Sequence, residues 1–406
     1  MKKKTVCVIG LGYIGMPTAA LLANKGFSVS GVDINEKVVT NINNCKIKFV
    51  ESDLNSFVKS AIKSGKLKAF SKIQRSDVYI ICVPTPFNKK EKIPKPNIKF
   101  VLSAIKSIAT FIKPGDLIIL ESTSPVGTTY KLKEKLKDLN VNLKNVHIAY
   151  CPERVLPGKI MIELKKNDRV IGGLSNISTK QVSKFYRSFV EGRIFETDAK
   201  TAELCKLAEN SFRDVNIAFA NELSLICDNL GINVWDLIKI TNRHPRVNIL
   251  QPGTGVGGHC IAIDPWFIVY NDKKNSKLIR SAREINDEKT SWVVKKIKSA
   301  ENNFISEKGY KPKIACLGMS FKPDIDDLRE SKALEVVETL LRGKSDIVAV
   351  EPYIKSYKGI KLLNFSEAIK ISDIICVLVK HTIFLKLEKK IKIKKHVILD
   401  FCGVLS

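Results

Sequence analysis

Three glycines near the N-terminus constrain the fold more than any other feature of this chain. They lie in Gly10-Leu-Gly-Tyr-Ile-Gly15, directly after the apolar run Thr5–Ile9 and before an apolar helical stretch. The first glycine permits a tight turn, the second lets the backbone approach a diphosphate, and the third lets the helix pack on the strand. This strand, loop and helix predict the first unit of a doubly wound α/β domain.

Short apolar runs alternate with helical patterns through the first 150 residues, which predicts a parallel sheet with helices on both faces. The predicted strands are Thr5–Ile9, Ser28–Val32, Val78–Val83, Leu117–Leu120 and Val146–Ala149. Similar runs return near the C-terminus at Lys313–Leu317, Ile347–Val350, Ile374–Val379 and Val397–Asp400. We therefore expect an α/β protein with two Rossmann-like parallel-sheet domains.

A long amphipathic helix is predicted between the two sheets. From about Asp198, apolar residues recur at steps of three and four until Gly231 ends the pattern. Asn233 starts a further short helix, and a second long helix is expected from Ser276 to about Asn303. The predicted domains are residues 1–197, a central helical region of residues 198–305, and residues 306–406.

Composition narrows the setting of this fold. The chain has 406 residues, ten cysteines and a formal net charge of +27. No two cysteines lie within three positions of each other, so there is no CxxC zinc or redox signature, and we expect a reduced, cytoplasmic protein without a metal site. The lysines are dispersed and no apolar run is long enough for a membrane span, so we expect neither nucleic-acid binding nor membrane insertion.

The cofactor that the glycine loop favours is NAD. Asp33 ends the second predicted strand, where a carboxylate can bind the ribose hydroxyls and repel a 2′-phosphate. Tyr13 and Ile14 complete the loop that would face the diphosphate. The alternatives are an ordinary strand-to-helix turn for the glycines and a solvated acid or helix N-cap for Asp33.

Further polar residues follow other predicted strands. Thr85 and Thr123 come after the third and fourth strands, where ligands of open α/β sheets bind, although turn chemistry is the alternative. Glu153 and Arg154 follow the fifth strand and would lie at a sheet rim.

One thiol, Cys260, follows the glycine-dense loop 253–258 in the sequence and precedes Asp264 by four residues. This arrangement is typical of a nucleophile. On the central helix Lys206, Asn210 and Arg213 are spaced i, i+4 and i+7, so they form a polar stripe. The alternatives are a small buried hydrophobic residue for Cys260 and a solvated stripe for the other three.

From end to end, the chain resembles the UDP-glucose/GDP-mannose dehydrogenase family. The matching segments lie in the family's order: Gly10–Gly15, Ser122–Gly127, Cys151–Glu153, Lys206 with Asn210, Asn221-Glu222, Gly257–Cys260 with Asp264, and Gly318–Ser331. Residues 242–252 and 264–267 are most similar to its bacterial UDP-N-acetyl-D-mannosamine branch. The resemblance implies NAD-dependent, four-electron oxidation of that nucleotide sugar to its uronic acid for surface polysaccharide. Oxidation of UDP-N-acetyl-D-glucosamine is the alternative within the family.

The resemblance also implies roles for single residues. Cys260 would carry a thiohemiacetal and then a thioester, while Lys206 and Asn210 would stabilise the oxyanion. Asp264, Thr123 and Glu153 would orient water and relay protons, with Glu153 as the base in thioester hydrolysis. The implied substrate-binding residues are Arg154, Val155, Lys206, Asn210, Arg213, His244, Arg246, Gly257 and Lys322. The implied cofactor-binding residues are Gly10, Gly12, Tyr13, Ile14, Gly15, Asp33, Thr85, Thr123 and Arg329. Generic surface charge is the alternative for the arginines and His244.

The same resemblance implies a function for each predicted domain. The N-terminal domain would bind NAD, the central region would catalyse and form a homodimer through its long helix, and the C-terminal domain would bind the UDP-sugar. The competing interpretation is a catalytically silent protein that binds a nucleotide sugar or nucleic acid, favoured only by the net charge. The joint presence of Cys260, Lys206 and Asp264 argues against it.

Overall fold

The computed structural model describes residues 4–46, 52–88, 91, 93–155, 160–258, 260–387 and 396–406. Residues 156–159, His259 and the lysine-rich residues 388–395 lie outside the described residues. The strands are β1 Thr5–Ile9, β2 Ser28–Val32, β3 Leu67–Phe70, β4 Val78–Ile81, β5 Phe87–Asn88, β6 Lys95–Pro96, β7 Leu117–Leu120, β8 His147–Tyr150, β9 Arg169–Gly173, β10 Ile194–Asp198, β11 Lys313–Leu317, β12 Asp346–Val350, β13 Ile374–Val377 and β14 Val397–Asp400.

Thirteen α-helices connect these strands within the described ranges. They are α1 Gly15–Asn24, α2 Glu36–Asn43, α3 Ser52–Lys63, α4 Lys99–Ile108, α5 Thr128–Asp138, α6 Ile160–Lys166, α7 Asn176–Tyr186, α8 Ala199–Leu230, α9 Val234–Thr241, α10 Asp264–Asn271, α11 Lys277–Lys308, α12 Lys332–Arg342 and α13 Phe365–Ile371. The chain divides into two compact units. The first contains the described residues up to Glu209 and Trp266–Asp272, and the second contains Asn210–Pro265 and the described residues from Lys273 onward.

The first unit is built on an eight-stranded sheet in the order β10-β9-β8-β7-β4-β1-β2-β3. Its neighbouring strands are parallel except for the antiparallel pair β8 and β9. In β1, Val6 and Val8 face one apolar core while Cys7 and Ile9 face the other, which explains the continuous apolar run. The strand order reverses between β1 and β4, so the carboxyl ends of β1, β4, β7 and β8 form one edge beside the switch point.

The second unit contains a four-stranded parallel sheet in the order β12-β11-β13-β14. The long helix α8 continues into this unit, and Gly231, with φ of +69°, follows its last residue. Asn233 caps α9 by accepting hydrogen bonds from the backbone N–H groups of Trp235 and Asp236. The predicted fold class, two Rossmann-like domains joined by a long helix, is confirmed.

A buried polar cluster joins α8 to α11 in the second unit. Asp214 accepts hydrogen bonds from Arg283 and Asn286, and Asn286 accepts one from Asn221. Asn221 in turn accepts a hydrogen bond from the backbone N–H of Gly253 at 2.9 Å. The cluster therefore fixes both helices and the start of the loop that leads to Cys260. No helix in the described part of the chain has the length and apolarity to cross a membrane.

We expect Glu203→Ala to loosen the start of α5. Glu203, on α8, is fully buried and accepts hydrogen bonds from the backbone N–H groups of Gly127 and Thr129 and from the Thr129 hydroxyl. Its removal leaves these donors without an acceptor and should cost roughly 3 kcal/mol of local stability. Hydrogen–deuterium exchange over α5 measures the effect. The control is Asn229→Ala, at an exposed position of α8, and equal exchange in both variants would contradict the assigned role of Glu203.

Candidate active site

The loop between β1 and α1 leaves room for a ligand at one glycine and none at another. A Cβ on Gly15 would lie 1.8 Å from the carbonyl oxygen of Gly10, whereas a Cβ on Gly12 would have no atom within 4 Å. Ile14, the N-cap residue of α1, provides no side-chain hydrogen bond to the first turn. The open space at Gly12 and the uncapped helix N-terminus fit the diphosphate of a dinucleotide.

Asp33 lies at the end of β2 beside this loop. Its carboxylate accepts hydrogen bonds from the backbone N–H of Leu11 at 3.0 Å and of Asn35 at 2.9 Å. Asp33 therefore holds the glycine loop against β2, a structural role that the sequence did not reveal. Because a carboxylate has about four acceptor positions, two backbone bonds leave capacity for ribose hydroxyls.

Thr85 and Thr123 lie at the carboxyl ends of the neighbouring strands β4 and β7. The Thr85 hydroxyl donates a hydrogen bond of 2.6 Å to the carbonyl oxygen of Thr123. The turn chemistry considered as the alternative is thus present at Thr85, and the bond brings the two predicted residues together. Of the remaining loop residues, Tyr13 is exposed and Ile14 is half-buried.

Glu153, after β8, forms a buried ion pair that the sequence did not predict. Its carboxylate lies 2.5 Å from the guanidinium of Arg169, and the two side chains are only 4% and 2% exposed. The other carboxylate oxygen accepts a hydrogen bond from the backbone N–H of Arg154. Arg169 begins β9, the strand that runs antiparallel to β8, so the pair fixes Glu153 at the sheet edge.

A second carboxylate, Glu121, lies buried behind this edge. It accepts a 2.5 Å hydrogen bond from the Tyr186 hydroxyl and a bond from the Cys82 thiol. Burial raises the pKa of Glu121, and the neighbouring charge of Glu153 raises it further. Arg169, which pairs with Glu153 and lies over the Tyr186 ring, provides positive charge that opposes this rise in the pKa of Glu121.

Arg154 and Val155 also lie at this edge. Arg154 forms a two-point ion pair with Glu209 on α8 and donates to the carbonyl oxygen of Asp168. The guanidinium expected to contact the substrate is therefore held by a carboxylate in this structure. Val155 is half-buried against the apolar core of the first unit.

The three residues of the predicted polar stripe on α8 differ in their exposure to solvent. Lys206 is half-buried, Asn210 is buried and Arg213 is exposed. Within the described residues of the first unit, no carboxylate lies within ion-pairing distance of Lys206. In the second unit, the amide nitrogen of Asn210 donates a 2.5 Å hydrogen bond to Asp264. The structure thus brings Asn210 and Asp264 together, which their 54-residue separation did not indicate.

Cys260 lies in a tight turn that leads into α10. Its carbonyl oxygen accepts hydrogen bonds from the backbone N–H groups of Ile263 and Asp264. All ten cysteines lie in the described part of the chain, and Cys260 is the one that is exposed. Burial raises the pKa of Cys7, Cys151 and Cys316 to about 12. Exposure therefore distinguishes Cys260 from the inert thiols and rules out a buried apolar role.

The glycines before Cys260 pack against the loop that follows β11. A Cβ on Gly257 would lie 2.5 Å from the carbonyl oxygen of Glu330, and a Cβ on Gly258 would lie 2.8 Å from the ring of Phe321. Gly257, predicted as a substrate contact, therefore also has a packing role. This contact brings the Cys260 loop and the segment Gly318–Ser331 together within the second unit.

The remaining charged candidates are exposed. Lys322 and Arg329 lie on the loop between β11 and α12, and Arg329 forms a two-point ion pair with Asp327. His244 and Arg246 follow α9, and the His244 ring accepts a hydrogen bond from the backbone N–H of Arg246. Arg329, predicted to contact the cofactor, is thus engaged by a neighbouring carboxylate.

An open glycine loop at the switch point of a doubly wound sheet, a second smaller parallel sheet and an exposed thiol together define a dinucleotide-dependent oxidoreductase. Residues 4–190, 200–288 and 315–406 match the NAD binding, central and UDP binding domains of the UDP-glucose/GDP-mannose dehydrogenase family. The chain belongs to this family, and it is an NAD-dependent nucleotide-sugar dehydrogenase.

Individual relatives extend over almost the whole chain. The UDP-N-acetyl-D-mannosamine dehydrogenase of Campylobacter jejuni is 50% identical and covers 94% of this chain and 97% of its own length. The NDP-N-acetyl-D-galactosaminuronic acid dehydrogenase of Ralstonia solanacearum is 47% identical, with coverage of 99% and 96%. The structure of the UDP-D-ManNAc dehydrogenase of Pyrococcus horikoshii is similar with a TM-score of 0.89 at 36% identity, with coverage of 99% and 96%.

We expect Gly12→Ala and Gly15→Ala to fail in different ways. At Gly12 the new methyl group enters open space, so the protein should fold normally while its NAD affinity falls by about tenfold or more. At Gly15 the methyl group would overlap the Gly10 carbonyl, so folding itself should be damaged. Thermal unfolding and calorimetric NAD titration separate the two effects. Normal NAD affinity in Gly12→Ala would contradict the assignment of the diphosphate to this loop.

Proposed function

We propose that the protein oxidises the C6 hydroxymethyl group of UDP-N-acetyl-D-mannosamine to a carboxylate for bacterial surface polysaccharide synthesis. The observation that carries the proposal is the exposed thiol of Cys260, four residues before an Asp264 that Asn210 holds in place. Support for the sugar comes from residues 242–252 and 264–267 and from the name of the Campylobacter jejuni relative. We also propose a cytoplasmic location, where NAD and nucleotide sugars are available.

The chemistry requires an aldehyde to be retained between two oxidations. When bound, NAD supplies the hydride acceptor for each of them, so two NADH form per sugar. We assign to the Cys260 thiolate the addition to the aldehyde carbon, which forms a thiohemiacetal that can lose the second hydride. Water then cleaves the resulting thioester, returning the thiol and releasing the carboxylate. The balance is one alcohol, two NAD⁺ and one water giving one carboxylate, two NADH and three protons.

Lys206 and Asn210 are assigned to the oxygen at C6. They lie one turn apart on α8, so their side chains project from the same face of the helix. A lysine ammonium and an amide N–H group both stabilise negative charge that develops on that oxygen. Because one amide hydrogen of Asn210 is already bonded to Asp264, its orientation is fixed and the second hydrogen is available.

Glu153 and Thr123 are assigned to water activation. Both follow strands that end at the same edge of the first sheet. Arg169 fixes Glu153 in position, but it also occupies one carboxylate oxygen. Each carboxylate oxygen has a further acceptor position, and we assign to Glu153 the proton that the attacking water releases. We assign the remaining predicted contact residues to the two ligands as the sequence suggested. The residues proposed to bind NAD are Gly10, Gly12, Tyr13, Ile14, Gly15, Asp33, Thr85, Thr123 and Arg329. Those proposed to bind the UDP-sugar are Arg154, Val155, Arg213, His244, Arg246, Gly257 and Lys322.

We further propose a homodimer formed through α8. Phe212, Phe219 and Ile226 recur at seven-residue steps, so they lie on one face of the helix, and Leu230 extends this face. Phe212 is 71% exposed and Phe219 is 51% exposed. Exposed apolar side chains that recur along one face of a 32-residue helix are typical of a protein interface. The three domains predicted from the sequence remain part of this proposal.

We expect Phe219→Asp to convert the dimer into a monomer, because the new carboxylate would be buried without a partner in the interface. Sedimentation velocity at micromolar protein measures the change. Ser299→Asp, at an exposed position of α11, makes the same change of one negative charge and should remain dimeric. A monomeric parent protein, or a dimeric Phe219→Asp variant, would contradict the proposed interface.

A second candidate substrate is UDP-N-acetyl-D-galactosamine, favoured by the Ralstonia solanacearum relative that matches 99% of this chain. We expect UDP-N-acetylmannosamine to have the highest kcat/KM among the manno, gluco and galacto acetamido sugars and UDP-glucose. It should yield two NADH per sugar with NAD and far less product with NADP, because Asp33 disfavours a 2′-phosphate. A higher kcat/KM for another sugar would change the substrate assignment, and a yield of one NADH with free aldehyde would exclude the covalent mechanism.

We expect Cys260→Ser to bind the nucleotide sugar but to lose steady-state turnover by about a thousandfold or more, because a serine hydroxyl is not ionised at neutral pH. Lys206→Ala should instead slow both hydride transfers, since it removes positive charge near C6 throughout the reaction. Calorimetry measures affinity, and single-turnover NADH formation measures each hydride step. Near-normal steady-state turnover in Cys260→Ser would show that the thiol is not the nucleophile.

A further inference from the structure

The second unit contains a cavity that the proposed catalytic residues do not line. Its volume is about 390 Å³, within the range of small-molecule sites. The walls are the end of α8, the turn into α9, the middle of α11 and the residues at the end of β14. Polar and aromatic side chains face the same space: Ser224, Asp228, Asn233, Trp235, Lys289, Trp292, Asp400 and Phe401.

Lys289 is the unusual member of this lining. It is only 2% exposed, and no carboxylate of the described residues lies within ion-pairing distance of its ammonium group. Its Nζ donates a 2.7 Å hydrogen bond to the Ser224 hydroxyl and lies 3.9 Å from the centre of the Trp292 ring. Burial lowers the pKa of Lys289 to about 7. A lysine has three N–H donors, so the cavity contains donor capacity that an oxyanion would use.

The two acidic residues of the cavity are already engaged. Asp228 forms a 2.5 Å ion pair with Lys296. Asp400 accepts hydrogen bonds from the backbone N–H groups of Cys402, Gly403 and Leu405, so its carboxylate closes the turn after β14. Neither carboxylate bonds to Lys289, so an incoming anion, which favours the protonated form of the lysine, would meet no competing counterion in contact with Nζ.

The aromatic rings that line the cavity indicate the chemistry of the rest of the ligand. Trp292 and Phe401 meet edge to face with ring centroids 6.1 Å apart, and Trp235 packs against Gly403, where a Cβ would lie 2.8 Å from its ring. Such packing fixes the orientation of the rings, and the ammonium groups of Lys289 and Lys296 lie 3.9 Å and 5.5 Å from the centre of the Trp292 ring. We propose that this cavity binds a small aromatic or heteroaromatic molecule bearing one carboxylate or phosphate group, with the anionic group on Lys289.

The chain contains its own reporters for this site. Two of its three tryptophans, Trp235 and Trp292, line the cavity, whereas Trp266 belongs to the first unit. In protein labelled with 5-fluorotryptophan, fluorine NMR gives one resonance for each tryptophan. Single Trp→Phe variants assign each resonance to its residue. The probes are benzoate and phenyl phosphate, which distinguish the two anionic groups, and benzyl alcohol as the neutral analogue.

We expect benzoate or phenyl phosphate to shift the Trp235 and Trp292 resonances saturably, with a Kd of about 1 mM or lower, and to leave Trp266 unchanged. Saturating NAD and UDP-sugar should not displace the probe. Lys289→Met should weaken binding by about tenfold or more, because it removes a charge-assisted hydrogen bond. Lys295→Met, at an exposed position of the same helix, should bind as the parent protein does.

Three results would overturn the proposal. The first is the absence of saturable shifts at Trp235 and Trp292 with either anion. The second is equal binding of benzyl alcohol, which would show an apolar cavity without an anion site. The third is displacement of the probe by NAD or the UDP-sugar. The comparison of the charged and neutral probes in the parent protein decides the question even if Lys289→Met does not fold.

Discussion

Parallel strands must be joined by crossover connections, and this constraint determines where the candidate site residues of the first unit lie. Each strand starts again on the same side of the sheet, so the segments that follow β1, β4, β7 and β8 all meet at one edge. The glycine loop, Thr85, Thr123 and Glu153 are distant in sequence but become neighbours along this edge. The sheet topology produces this grouping, and the hydrogen bond from Thr85 to Thr123 adds a direct link between two of its members.

In the second unit, hydrogen bonds between buried polar side chains position the candidate site residues. Asn221 on α8 bonds both to Asn286 on α11 and to the backbone of Gly253, so two long helices hold the start of the Cys260 loop. Such a cluster is costly to bury unless every member has a partner, and that requirement restricts the helices to one register. The turn at Cys260 is held at its other end by the bond between Asn210 and Asp264.

The sequence is sufficient to predict a strand when the strand is buried on both faces and its composition is correspondingly apolar. Strand β1 was predicted because both its faces are buried and it is rich in valine and isoleucine. Strand β3, an edge strand of four residues with a lysine in it, and β9, which begins with Arg169 and ends with two glycines, lack this signature and were not predicted. The same limit applies to the site. Cys260 and Asp264 were recognisable from their spacing, but the Glu153–Arg169 pair was not, because a lone arginine gives no sign that it is buried.

Glycine has two opposite roles in the two loops, which explains why glycine density alone does not identify a ligand site. At Gly12 the missing side chain leaves open space, so the gain is access for a ligand to the backbone. At Gly257 and Gly258 the space is filled by Glu330 and Phe321, so the gain is close packing between two loops of the protein itself. A larger residue at Gly258 would push the turn that carries Cys260 away from Phe321. The second glycine loop therefore holds the turn that carries Cys260 in place by packing against the segment Gly318–Ser331.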